Sequence, residues 1–177
     1  MKMRVRFVAG LAFLVVMTTG ASAQSLPDSV VRDLANLTLR GEAVMRFFGI
    51  KVYDVRLWTL MKPHSPDEPF ALELVYDMSL KGRDIAERSI KEMHDQGHSD
   101  DAKLKRWGEE MARIFPDIKK GDTLVGVSIP GKEVRFYSRE KFIAAVGDPE
   151  FARAFFDIWL SSRTNEPRLR EQLLGSK

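Results

Sequence analysis

The sequence has no cysteine and only three histidines. The first absence removes disulfides, thiolate metal sites and a thioether-linked lipid, so the chain must be held together by its core alone. There is no G-x-S-x-G and no glycine-rich phosphate loop, which leaves a nucleophile-elbow hydrolase and a nucleotide-binding loop without their signatures. A membrane-spanning helix needs roughly 18 or more apolar residues. The most apolar stretch, from Phe7 to Gly20, is shorter and carries Thr18 and Thr19.

What is present begins with that stretch. Lys2, Arg4 and Arg6 precede it and Ala21-Ser22-Ala23 follows it. A basic head, an apolar run and small residues at this spacing predict a secretory signal peptide over 1–23, cut before Gln24. The expected compartment is the periplasm, with no stable membrane anchor left behind. The leader also explains the charge. The chain has 28 Lys+Arg against 25 Asp+Glu, and the leader's three basic groups account for the whole excess. A neutral mature chain has no basic footprint for nucleic acid. Residues 24–36 read as a polar lead-in with a turn at Leu26-Pro27-Asp28, and 37–175 as a single domain, with no repeat or low-complexity tract.

Strands come first. Leu37 and Leu39 alternate with polar neighbours. In "KVYDVRLWTL", Tyr53, Val55 and Leu57 share one face, and Val52, Asp54, Arg56 and Trp58 the other. After the proline-broken "HSPDEP", "FALELVYDM" sets Phe70, Leu72, Leu74, Tyr76 and Met78 opposite Glu73 and Asp77. These runs predict an antiparallel pair with one dry and one wet face, Arg56 pairing with Glu73 across the ladder. "TLVGVSI", Pro130-Gly131 and "KEVRFYS" read as a hairpin, with Val125, Val127 and Ile129 on one arm and Val134 and Phe136 on the other. "REKFIAAVGD" reads as a short helix or turn.

Helical spacing appears from Arg83 to Gln96, with Gly97 as the stop, and again after a Ser99 or Asp100 cap, through Leu104, Trp107, Met111, Ile114 and Phe115. In "DPEFARAFFDIWL", Asp148 is placed to cap and Pro149 to open a helix whose apolar face (Phe151, Phe155, Phe156, Ile158, Trp159) is wide enough to be buried on a sheet. A last helix ends at Gly175. Strands, two helices, a hairpin and further helices give an α+β domain, an antiparallel sheet with helices on one face.

Few residues promise chemistry. "HDQGH" places His94 and His98 four apart, but Gly97 should end the helix before the second imidazole, so no metal site is expected, nor any cofactor. Ser89 lies on the apolar stripe of its helix, with Arg88 and Glu92 at the edge. Its hydroxyl either bonds the carbonyl one turn back or lines a cavity. Tyr53 presents the same choice between a structural partner and a ligand.

"LRGEAVMRFFGIKVYDVRLW", "IAERSIKEM", "FPDIKKGDTLVGVSIPG", "DPEFARAFFDIWL" and "LREQLLG" together resemble the exported bacterial members of the chalcone isomerase-like family, from about Leu37 to Gly175. The resemblance implies an open-faced β-sandwich, a curved antiparallel sheet with helices packed on one face. It further implies a cleft between sheet and helices, where catalytic relatives close a chalcone using an arginine and non-catalytic ones hold a fatty acid with an arginine and a tyrosine. Carried onto this sequence, the arginine is Arg46 and the tyrosine Tyr53; Ser89, from its place on the helical stripe, is a further candidate contact. Three functions follow as expectations: a non-catalytic protein binding an apolar anion such as a fatty acid, an isomerase (intramolecular lyase) acting on a conjugated carbonyl compound, and an envelope assembly partner with no small ligand.

Overall fold

The computed structural model describes residues 26–139 and 141–175; the expected signal peptide lies outside them. Helix α1 (Asp28–Asp33) precedes β1 (Thr38–Phe47), β2 (Ile50–Thr59) and β3 (Phe70–Tyr76). A helical pair follows, α2 (Gly82–Asp95) and α3 (Asp101–Ile114), then β4 (Thr123–Ile129), β5 (Glu133–Ser138) and β6 (Lys141–Val146), and finally α4 (Pro149–Leu160) and α5 (Pro167–Leu174). The six strands pair in chain order, every neighbour antiparallel, as an open sheet. This is the expected α+β architecture.

The main core lies between α2–α5 and one face of the sheet. Val55, Leu57, Leu72 and Leu74 meet Met93, Met111, Phe151 and Phe155 there. Aromatic edges dominate: Phe136 and Phe155 stand 5.1 Å apart at 89°, and such pairs add about 0.5–1.5 kcal/mol each beyond their buried area. Gly126 makes room for them, because a Cβ would stand 3.2–3.3 Å from the rings of Phe156 and Phe155. The capping expectations hold. Asp100 accepts from the Lys103 amide, Asp148 accepts from the Glu150 and Phe151 amides, and Gly97 (φ 98°) and Gly175 (φ 60°) end α2 and α5.

Three details depart from the sequence reading, and the facing of the expected hairpin adds to it. The lead-in forms α1, which buries Leu26 and Val30 with Trp58, Ala71, Val125, Val127 and Tyr137 in a second, smaller core. These residues alternate with those of the main core, so α1 covers the opposite face of the sheet, and the wet face is dry beneath it. Glu73 is consequently buried, and it takes hydrogen bonds from the Trp58 indole (3.2 Å) and, as expected, from Arg56 (3.4 Å). In the β4–β5 hairpin, Val125 faces Tyr137 and Gly126 faces Phe136, which sends the valines of β4 and the Val134/Phe136 pair of β5 to opposite cores. Finally, the segment read as a short helix or turn is edge strand β6, where ladder bonds to β5 decide the conformation of "KFIAAV".

Candidate functional site

A cavity of about 270 Å³ remains between sheet and helices. Its floor is Met45, Tyr53, Leu74, Tyr76, Leu124 and Gly126. Its roof is Ile85 and Ser89 of α2, Phe155, Ile158 and Trp159 of α4, and Leu169 of α5. The exposed lining residues, Phe47, Asp84, Arg88 and Glu166, mark the mouth. The enclosing surface is overwhelmingly apolar with a few polar groups, the usual form of a site for a greasy small molecule.

Tyr53 and Ser89 line this cavity. The Ser89 hydroxyl also donates to the Ile85 carbonyl at 2.8 Å, so both alternatives open for it are realised together. Tyr53 accepts a hydrogen bond from the Trp159 indole at 3.1 Å, and the phenol's own proton has no acceptor among the described residues. The Tyr76 ring stands edge-on to it, 5.5 Å away. Burial pushes the Tyr53 phenol up to about 12, against the smaller lowering effect of the Trp159 bond. Burial, helped by Tyr53, drives Tyr76 higher still. Both phenols are therefore neutral at physiological pH, and Tyr53 can give its proton to a ligand oxygen.

Arg46 corrects the sequence expectation of a cation looking into the cleft. Its side chain is exposed, outside the cavity lining, and bonds the Gly49 carbonyl at 3.2 Å. The cause is plain alternation along β1: Ala43 and Met45 pack into the main core and Phe47 lines the cavity, so the residues between them, Val44 and Arg46, face away. Met45 and Phe47 turn inward, and the arginine between them turns out.

The guanidinium at the cavity is Arg88 instead. It forms an ion pair with Glu92, one helical turn on, and lies 5.6 Å over the Phe47 ring. Glu92 is buried and also accepts from Asn165 at 2.9 Å. The ionisable lining thus sets one cation against Asp84, Glu92 and Glu166. Helical phase had placed Arg88 and Glu92 beside Ser89; what it lacked was the strand floor that makes their edge a cavity mouth. Among the described residues no group of three metal-ligating side chains is gathered.

The sequence profile described as "Chalcone isomerase-like" matches residues 19–175. No curated protein matches the chain. Among solved structures, a fatty-acid binding protein of Arabidopsis thaliana superposes with a TM-score of 0.62 at 14% identity, over 79% of this chain and 87% of that one. At that identity the likeness is one of fold.

Proposed function

The chain belongs to the chalcone isomerase-like family, and within it we propose a binding protein for an apolar, fatty-acid-like molecule, its tail in the cavity and its polar end near Tyr53 and Arg88. One observation carries the reading: an apolar chamber with a mouth, in which a half-buried phenol keeps a proton to give. The named function of the Arabidopsis structure supports the ligand class. Catalysis of a cyclisation calls for a guanidinium aimed where negative charge develops, and Arg88 is engaged by Glu92 instead. The surplus of carboxylates at the mouth means that tail burial and the phenol supply the affinity, while an ionised head gains little. The proposal includes export: cleavage before Gln24 would deliver the protein to the periplasm, which N-terminal sequencing of the cell-expressed protein tests.

The binding test is direct. Protein purified without detergent is extracted and analysed by mass spectrometry, then delipidated and titrated with a fluorescent fatty acid. An apolar carboxylic acid or ester in the extract and saturable one-to-one uptake are expected. An empty extract with no uptake would retire the proposal.

A further inference from the structure

The β1–β2 hairpin ends in an apolar tip that nothing in the fold requires. Phe48 is 91% exposed, Ile50 64% and Phe47 50%. Phe48 (φ 47°) and Gly49 (φ 81°) form a two-residue turn with both residues in the left-handed region. That turn ordinarily takes Asn-Gly or Asp-Gly, and a bulky residue at positive φ is an outlier. The Phe48 ring meets that of Phe47 edge-on at 4.6 Å, but it stays almost wholly exposed and does not suit the turn, so the position is explained by something outside the fold. Two cations, Arg46 and Lys51, stand just behind the tip; Lys51 is paired with Asp54 at 2.8 Å, while Arg46 is exposed and bonds the Gly49 carbonyl. The tip also adjoins the cavity, since Phe47 belongs to the mouth and carries Arg88 over its ring.

We propose that this tip docks the protein on a lipid bilayer, with Phe48 and Ile50 inserted at the interface and Arg46 and Lys51 at headgroup depth. A projecting turn offers too little area for a protein interface, which needs about 1,000 Å², whereas a bilayer accepts a single inserted ring. Long basic side chains can reach phosphates while their stems cover apolar surface. Docking in this orientation brings the cavity mouth to the membrane. Its purpose, passage of a greasy ligand between bilayer and cavity, rests on the proposed binding function; the docking itself does not.

The experiment is flotation of delipidated protein with vesicles of phosphatidylcholine containing one-quarter phosphatidylglycerol. Wild type is expected to float, and Phe48→Asp to bind about tenfold or more weakly, as loss of one buried aromatic implies. Phe48→Asn is expected to float as poorly while melting higher by about 2–6 °C, since it relieves the turn. Phe48→Trp should retain binding and be quenched by brominated acyl chains, beyond any quenching of the wild-type tryptophans. Wild type remaining in the aqueous fraction would overturn the proposal. So would flotation unaffected by Phe48→Asp, or a Phe48-dependent dimer in ultracentrifugation without vesicle binding. Fatty-acid uptake from solution with no flotation sinks docking alone; flotation with no uptake sinks the binding function alone.

Discussion

Replacing Glu92 with glutamine should make the protein a better receptor for ionised fatty acids. Glu92 holds the Arg88 guanidinium at the cavity mouth, and Asp84 and Glu166 add further negative charge. The substitution keeps the shape and can still accept from Asn165, but removes a full charge and frees Arg88. Two charges about 4 Å apart interact by roughly 4 kcal/mol near a protein surface and about 1 kcal/mol in water. At a half-open mouth, about 1–2 kcal/mol is a reasonable expectation, or about 5- to 30-fold in Kd. The lost pair is half-exposed on the arginine side and one turn apart on a helix, so stability should fall by only about 0.5 kcal/mol. Displacement of a fluorescent probe by a long-chain acid and by its methyl ester separates the effects. The acid should gain and the ester should not, and Arg88→Gln should reverse the preference. Equal gains for acid and ester, or no gain for the acid, would refute the placement of the polar end.

Tyr53→Phe should leave the Trp159 indole without its acceptor and the ligand without its donor, lowering stability by about 1–2 kcal/mol and affinity about 3- to 10-fold, read by thermal melts and the same displacement assay. All three tyrosines, Tyr53, Tyr76 and Tyr137, have phenols raised chiefly by burial, Tyr53 and Tyr137 to about 12. Absorbance at 295 nm should therefore show little phenolate in the folded protein at pH 10.5, where the unfolded chain is mostly ionised. Because the folded values lie above the unfolded one, the associated stability is fully present below about pH 10 and declines as pH rises toward 12. Asp148 is the opposite case. Burial opposes ionisation there, but bonds from the Trp107 indole and the Phe151 and Glu150 amides outweigh it and hold the carboxyl below its ordinary value. Its contribution is present above about pH 4 and lost as pH falls through the lowered value. Asp148→Asn should thus flatten the acid limb of the stability curve and lower neutral-pH stability by about 0.5–2 kcal/mol.

The features legible in the sequence were those fixed within a few residues. Alternation placed Val55 and Leu57 against the helices, and Asp148-Pro149 announced the start of α4 because its cap is local chemistry. Features set by distant partners were not legible. The six residues of α1 are stabilised by burying Val30 on a sheet face whose far strands they cannot reveal. β6 becomes a strand because β5 offers its ladder, against no strong local preference. Within β4 and β5 the alternation was correct, but the hairpin register decided which arm faces which core. The site divided in the same way. Tyr53 and Ser89 followed from periodicity, while Arg46 lies between inward-facing Met45 and Phe47 and looks away, and Arg88 waited for a floor built from β1 to β4.

The account stands most directly on where a bound chain lies. Nuclear Overhauser contacts from a 13C-labelled fatty acid on delipidated protein measure this. The account predicts one ligand per chain, with methylene contacts to the rings of Trp159 and Phe155 inside the cavity. Contacts confined to the exposed Phe48 ring, or none to the interior at saturation, would contradict it.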